Sequence, residues 1–279
     1  MMFAYGFAQR ALIAGTIIAV VCSLISFFVV VRRLAFAGMG ISHAAFGGVA
    51  LGLAAGIDPL LSAGGFCVLI ALGIGWFSRK GKIHEDTVIG ILFASAMALG
   101  VVLVRLANAY NLDLMSYLFG SILAMKWLDV MIVGIVAILA LSFITIFFKE
   151  LLFLSFDEET ATASGLPVKF IYYGLLIVMA LTIVVAIKLV GIVLVSALLV
   201  IPGATASQLS SNYRGVLAWS LTTGVASVFA GLYLSFHFDV ASGAAIVLVL
   251  FAVFLISMAL SPRRRYMKRK LHQHVLRGS

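Results

Sequence analysis

Long apolar runs separated by short polar interruptions cover most of this 279-residue chain. A helix needs about 20 mostly apolar residues to cross the hydrocarbon core of a bilayer, where its own backbone hydrogen bonds replace those to water. The runs therefore predict an all-α polytopic membrane protein with a single transmembrane domain over residues 1–262. Nine predicted spans cover 9–31, 35–57, 60–78, 86–107, 124–148, 169–187, 189–207, 214–236 and 240–260.

A count of eight spans is the alternative interpretation of the same pattern. The run 35–57 is rich in Gly and Ala, and only Lys188 separates 169–187 from 189–207. One of these three segments could be re-entrant rather than spanning.

The composition excludes most other classes of protein. Hydrophobic residues make up 64% of the chain and charged residues 10%, against about 45–50% and about 25% in soluble domains. Cys22 and Cys67 both lie inside apolar runs, which argues against a disulfide framework. A soluble enzyme, a disordered chain and a secreted disulfide scaffold are therefore excluded.

Lys and Arg residues, which give the chain its net charge of +9, lie in short clusters between the apolar runs. Cytoplasmic loops of membrane proteins carry an excess of these residues. With nine spans, a cytoplasmic C-terminus places Arg32, Arg79 and the basic tail 263–279 inside, and the N-terminus outside. Topology thus explains the charge, and nucleic acid is not an expected partner. The outer face then keeps Arg10, Arg105, Lys126 and Lys188.

The loop 150–168 is the longest polar interruption before the tail and lies on the cytoplasmic side of this topology. Ser155 is predicted to cap a short helix, with Glu158 three residues later completing a capping box. Gly165 is predicted to stop the helix, and Pro167 follows it. The segment could be an ordinary connector or a helix that docks in a partner's groove. Its acidic residues, which suit the start of a helix, are Asp157, Glu158 and Glu159.

His43 is the clearest ionisable residue within a predicted span, and such residues carry a functional hypothesis by default. It lies in the Gly-rich stretch 38–48, where close helix approach or a local break is possible. Met39, four residues earlier, shares its helical face. Imidazole and thioether groups both bind transition metals. The alternative is a histidine that simply bonds a neighbouring helix.

Other polar residues have weaker claims to a site. His237 and Asp239, near the outer end of a span, could be metal ligands at an entrance, but an interfacial role is favoured. Glu85 and Asp86 open a span, so they are predicted to cap its N-terminus. Asp113 and Asp129 are predicted to face the outer aqueous side.

The chain contains no Walker A sequence, Gly-rich phosphate loop or Cys-pair zinc motif, and no nucleophile–base–acid constellation. It therefore shows no nucleotide site and no catalytic residues of its own. Any ATP that the protein uses is expected to bind a partner.

Six segments in order resemble the membrane permease subunits of bacterial ABC transporters that import zinc, manganese or iron(II). They are Ile41–Ala44 with Gly48–Ala50, Glu85–Ile91, Tyr117–Leu123, Ser155–Asp157 leading to Gly165–Pro167, Val190–Gly191 leading to Ile201–Ala206, and Ser242–Ala244.

This resemblance implies a lipid-embedded homodimer in the bacterial cytoplasmic membrane, with two ATP-binding cassette subunits below and a metal-binding extracytoplasmic protein above. It implies a transported divalent metal ion, zinc or manganese being favoured, with no cofactor or bond chemistry in this chain. The loop 155–167 would be the coupling helix that docks on the ATPase subunits. Its implied coupling residues are Ser155, Phe156, Asp157, Glu158, Glu159, Gly165, Leu166 and Pro167.

One departure from the family pattern concerns the metal. An Asp commonly stands four residues before the His in this family, whereas here the residue is Met39. Met with His is a softer ligand pair than a carboxylate with His. Asp239 is the proposed replacement carboxylate. Gly191 and the Pro202-Gly203 pair could form a hinge at the pathway, or could be simple packing sites.

Three alternatives to a metal-ion permease remain open. A permease of the same architecture could carry a chelated metal or siderophore. An intramembrane enzyme could use His43 and Asp239, but a recognisable catalytic set is missing. A passive channel or cation exchanger would need more carboxylates within the membrane.

Overall fold

A computed structural model describes residues 6–81, 83–106, 114–120 and 125–261, which form helices, short turns and no strand. The predicted tail 263–279 and Asp113 lie outside the described residues. The helices are α1 Gly6–Val31, α2 Ala35–Ala55, α3 Pro59–Gly81, α4 Glu85–Leu106, α5 Leu114–Phe119, α6 Trp127–Ile146, α7 Phe148–Phe156, α8 Glu158–Ala163, α9 Val168–Val190, α10 Ile192–Leu209, α11 Tyr213–Phe238 and α12 Ser242–Leu260.

Nine of the helices in the described ranges are long and apolar enough to cross a membrane, which confirms the predicted all-α polytopic fold. They include α2, α9 and α10, the three segments for which a re-entrant course was the alternative. Most helix bounds differ from the predicted ones by a few residues, and two of the differences change how the chain is divided. The predicted span 124–148 ends earlier, because the helix breaks at Phe147 and α7 begins beyond it. The division expected at Lys188 falls instead at Gly191.

The long helices form two packed groups. In one, α2 lies between α3 and α4. In the other, α1 packs against α10, α11 and α6, while α12 packs against α10 and α11. Helix α9 is mostly buried and contacts both groups through α3 and α6. By contrast, α3, α4 and α12 leave most of their apolar surface uncovered in the single chain, which is expected of helices facing lipid or a second chain.

Polar contacts tie the helices together at the two ends of α1. At its start, the Arg10 Nε–H donates to the Met125 carbonyl oxygen at 2.9 Å. Near that end the Nζ of Lys188 lies 2.5 Å from the Oδ1 of Asp129, which forms an ion pair. Asp129 is thus buried and paired, so the prediction that it faces the aqueous side is wrong. At the other end of α1, Arg32 contacts Glu158. Residues predicted to lie on one side of the membrane therefore share one end of the bundle.

The Pro202-Gly203 pair does not break α10, which continues through it. Proline lacks the N–H that a helix interior requires. Ser26 of α1 contacts the backbone on both sides of the proline, because its Oγ accepts the Gly203 N–H at 2.8 Å and donates to the Val200 carbonyl oxygen at 3.2 Å. A Cβ on Gly203 would lie 2.5 Å from the Ser26 carbonyl oxygen. Gly203 is accordingly a close packing point between α1 and α10.

Gly191 does separate two helices, with φ 90° and ψ 158°, a region that only glycine adopts readily. Three glycine-containing segments meet there. A Cβ on Gly120 would collide with the Leu189 carbonyl oxygen, and one on Gly243 with that of Val190. The Ser242 hydroxyl donates to the Leu189 carbonyl oxygen at 2.7 Å, which satisfies an acceptor at the end of α9.

Replacing Gly191 by Ala should lower the free energy of unfolding by about 2 kcal/mol, because the backbone there is strained for any residue with a Cβ. The added methyl group would also collide with the backbone of Leu118 and Phe119. Gly134→Ala is the matched control, since a Cβ at that position in α6 meets nothing within 4 Å. The measurement is the midpoint of thermal unfolding in detergent. Equal midpoints for the two variants would contradict the assignment.

Candidate metal pathway and coupling segment

Met39 and His43 lie one turn apart on a stripe of α2 that the rest of the chain leaves uncovered. Phe36 and Met39 are exposed, and His43 and Phe46 are half-buried. Their spacing of three, four and three residues follows a single helical face. The other faces of α2 are buried, mainly by α3 and α4. The predicted metal ligands are thus accessible in the single chain.

The His43 ring is held in one orientation. Its Nδ1 lies 2.9 Å from the Met39 carbonyl oxygen and 3.4 Å from the Ser42 Oγ. The ring also meets the edge of Phe93 of α4 at a centroid distance of 5.3 Å. The carbonyl contact assigns the proton to Nδ1, so that Nε2 keeps its lone pair for a ligand. This is the arrangement that metal-binding histidines commonly use.

His43 and Met39 provide an imidazole and a soft thioether ligand but no complete metal site. Within the described ranges, no group of three or more His, Cys, Asp or Glu side chains could hold a metal ion. Met39 as a whole is 36% exposed. Because a metal ion needs at least four ligands in most protein sites, further ligands would have to come from water or another chain.

The structure places His237 and Asp239 apart from His43, at the end of α11. Both are exposed, and His237 stacks parallel to Tyr233 at a centroid distance of 6.2 Å. Asp239 has φ 53° and caps α11 through its N–H, which donates to the Ser235 carbonyl oxygen. Among the described residues, no hydrogen bond or ring contact joins either side chain to His43. Helix α11 packs chiefly on α1, α10 and α12, whereas α2 packs chiefly on α3 and α4.

The coupling segment, residues 155–167, contains the end of α7, the short helix α8 and the turn before α9. The prediction that Ser155 caps α8 is wrong. Ser155 lies inside α7, and its Oγ donates to the Leu151 carbonyl oxygen at 2.6 Å. Asp157 is the cap instead, because its Oδ1 accepts the Thr160 N–H at 2.9 Å. Leu151 and Leu154 are buried against the bundle, and this packing extends α7 to Phe156 and moves the start of α8 by two residues.

The other end of α8 follows the prediction. Gly165 has φ 79°, and its N–H donates to the Thr162 carbonyl oxygen at 3.1 Å. Leu166 then donates to the Ala161 carbonyl oxygen at 3.3 Å, which closes the turn. Pro167 directly precedes α9, where its missing N–H is not needed.

Hydrogen bonds from Thr160 lower the pKa of the Asp157 carboxyl group, the largest contribution coming from the Thr160 hydroxyl. The hydroxyl donates to Asp157 Oδ2 at 2.5 Å. Because the pKa is lowered on folding, the ionised cap stabilises α8 above the usual pKa of an Asp, and this contribution disappears as pH falls through the lowered value.

Glu158 no longer belongs to a capping box but joins a polar cluster that sequence reasoning missed. The cluster, named here the Glu158 node, ties together the ends of several helices. Glu158 pairs with Arg32, after α1, and with Arg79, near the end of α3. Its partners lie more than 70 positions away along the chain, so no local pattern could reveal the pairing. The node consists of Arg32, Arg79, Glu85, Glu158 and Tyr172.

Glu85 and Asp86 occupy the first turn of α4, which agrees with their predicted place at the helix start. Glu85 also accepts a hydrogen bond from the Tyr172 hydroxyl at 2.7 Å. Glu85 thereby links α4 to α9 as well as suiting its own helix end.

The helices and these two sites define a polytopic, all-α membrane protein. One helix bears an accessible pair of imidazole and thioether side chains, and a structured segment lies outside the long helices.

Residues 4–261 match the model of the ABC 3 transport family, and the chain belongs to that family. It is 40% identical over 260 residues to the manganese transport system membrane protein MntC of Listeria innocua, covering 93% of this chain and 92% of the relative. It is 33% identical to the high-affinity zinc uptake system membrane protein ZnuB of Haemophilus influenzae, covering 91% and 97%. A solved structure of PsaBC from Streptococcus pneumoniae in complex with Fab matches with a TM-score of 0.85 and 38% identity, covering 95% of this chain and 96% of that one. The resemblance stated from the sequence is confirmed.

Asp157→Ala should accelerate hydrogen–deuterium exchange of the α8 amides at neutral pH, because it removes the acceptor for the Thr160 N–H. Asp157→Asn should retain most of the protection, since asparagine also caps helices. Ser155→Ala is the control and should leave exchange in α8 at the parent rate. Mass spectrometry of peptides covering 155–167 measures all three variants. Faster exchange in the Ser155 variant than in Asp157→Ala would restore the original capping prediction.

Proposed function

We propose that this chain is the membrane permease subunit of an ATP-driven importer for a divalent transition metal ion, manganese or zinc. The chain is 40% identical to a membrane protein named for manganese transport and 33% identical to one named for zinc uptake, in each case over more than 90% of its length. This similarity carries the proposal. The accessible Met39–His43 pair is the structural feature that fits it. The same relatives favour an ion over a chelated metal or siderophore as the substrate.

The metal would pass along the exposed stripe of α2. In a homodimer, two such stripes facing a shared pathway would supply two imidazole and two thioether groups. Manganese prefers oxygen ligands and suits a soft thioether least, so His43 would contribute more than Met39 to its binding. A site with few strong ligands suits transport, because the ion must leave as readily as it enters. Asp239, with His237 beside it, would supply a carboxylate near the outer end of α11.

Energy would enter through the coupling segment. Its Phe156 side chain is 69% exposed beside the acidic residues of α8, although it is large and apolar. An exposed aromatic residue of this kind suits insertion into a groove of a partner. The ATP-binding cassette subunits would dock there on the cytoplasmic side, and bind the ATP. The docking residues would be Ser155, Phe156, Asp157, Glu158, Glu159, Gly165, Leu166 and Pro167.

The remaining partners follow from the same mechanism. A metal-loaded extracytoplasmic protein would release its ion to the outer face of the homodimer. The helix break at Gly191 would act as a hinge between α9 and α10 during alternating access. Pro202 and Gly203 would be packing sites that hold α10 against α1, since the Ser26 hydroxyl group lies directly against this part of α10.

His43→Ala should reduce uptake of the transported metal at least about tenfold, because even losing the hydrogen-bond partner of a metal ligand typically costs about 10–100-fold. The assay uses proteoliposomes carrying the full complex and its binding protein, with manganese, zinc and iron(II) supplied in turn. His84→Ala is the matched control, since His84 is exposed just before α4 and outside the stripe.

In this assay the parent complex tests the proposed importer function, and the His43 variant tests the proposed metal site. A selective loss of one metal in the His43 variant identifies both the ion and its ligand. Unchanged uptake in the His43 variant would make that residue structural, and Asp239→Asn would then be the next variant. A parent complex that moves none of the three metals would overturn the proposed function itself.

A further inference from the structure

We infer that Glu158 is the positioning residue through which movement of the ATPase-bound segment reaches the membrane helices. The inference rests on the proposed function above. It assigns the transmission of movement to one carboxylate group and its two arginines, rather than to the docking surface of the coupling segment as a whole.

The Glu158 carboxylate group is shared between two helices. Its Oε2 lies 2.9 Å from Nη2 of Arg32, and its Oε1 lies 2.6 Å from Nη2 of Arg79. Each oxygen therefore accepts a charge-assisted hydrogen bond from a different arginine. Arg32 also donates from Nη1 to the Leu154 carbonyl oxygen of α7 at 3.4 Å. One arginine thus contacts the coupling segment and the helix before it, on both sides of Asp157.

The Tyr172 ring contacts both arginines and fixes their positions. This side chain of α9 is fully buried, and its ring lies 5.3 Å from the Arg32 guanidinium carbon and 4.5 Å from that of Arg79. Cation–π attraction favours this placement of both guanidinium groups. The Tyr172 hydroxyl donates to Glu85, so the support extends to α4. The node therefore joins α1, α3, α4, α8 and α9.

The position of the node explains why displacement there would be transmitted. Arg32 follows α1, which belongs to one packed group of helices, and Arg79 lies in α3, which belongs to the other. Alternating access requires such groups to move relative to each other. A carboxylate group bonded to both arginines would displace both groups of helices when α8 moves. Since packed helix groups are close to rigid, a small shift at this point reaches the whole group.

Stability alone does not account for the node. The side chain of Glu158 is 41% exposed and that of Arg79 is 29% exposed, so their ion pair contributes little to the free energy of unfolding. Arg32 is only 9% exposed, and its pair with Glu158 also keeps that nearly buried charge from being left unpaired. The node contains two arginines and two glutamates and is therefore neutral. Removing the Glu158 charge would leave Arg32 and Arg79 close together over the Tyr172 ring. Helix α8 would then lose its ion pairs to both groups of helices.

The test measures metal uptake and ATP hydrolysis together in proteoliposomes carrying the full complex. Glu158→Gln should lower the number of metal ions transported per ATP hydrolysed about tenfold, within the range of typical coupling between sites. ATP hydrolysis itself should continue. Asp86→Asn is the matched control, because it removes an exposed carboxylate group at the start of α4, beside the node. Its ratio should equal that of the parent.

Two further variants keep the test decisive. Arg79→Gln should lower the ratio as well, and the double variant with Glu158→Gln should lose no more than the larger single loss, because both act through one contact. Should Glu158→Gln fail to assemble, Arg79→Lys retains the charge but loses the planar fork, and its ratio should still fall. An unchanged ratio in that variant would overturn the inference.

The outcomes for the inference and for the proposed function differ. A Glu158→Gln complex with the parent's ratio would overturn the inference while leaving the importer function in place. Uptake and hydrolysis that fall in proportion would also overturn it, because the node would then serve only to hold the assembly together. A parent that transports no metal would remove the proposed function, and the inference with it.

Discussion

A hydrocarbon environment offers no water to a broken helix, and this constraint shapes the described part of the chain. At Pro202 and at Gly191, where a helix is irregular or ends within the bundle, another segment supplies polar contacts. Ser26 provides a donor and an acceptor beside Pro202. Ser242 covers a carbonyl group at the end of α9, next to the break at Gly191. Both positions lie where neighbouring segments approach closely, and small residues make that approach possible.

The same constraint concentrates charge at the ends of the helices. Asp129 and Lys188 pair near the start of α1, and the Glu158 node lies beyond its other end. Between these two levels α1, α9 and α10 are almost entirely apolar. The bundle is thus held along its length by apolar packing with a few hydroxyl hydrogen bonds, and at its ends by ion pairs. Such contacts link elements that are distant in sequence, which suits them to transmit movement.

The single chain also leaves surfaces that its own helices do not cover. The stripe carrying Met39 and His43 is accessible although it lies on a helix otherwise surrounded by neighbours. The Phe156 side chain is exposed on the coupling segment. A permease needs both properties. An ion must reach its ligands, and a partner must bind the segment that moves the membrane helices. The uncovered surfaces thus fit the proposed function, and the covered ones stabilise the fold.

The sequence by itself determined the membrane class, the long helices and the residues worth testing as ligands. Length and apolarity decide whether a helix can span a bilayer, and both are local properties of the chain. The stop at Gly165 was also predictable, since a left-handed residue after a helix favours glycine. Tertiary structure decided the rest. The cap of α8 moved from Ser155 to Asp157 because packing extended the preceding helix. Glu158 found its arginines only through the fold, because contacts between distant segments depend on how helices pack and leave no periodic trace in the chain.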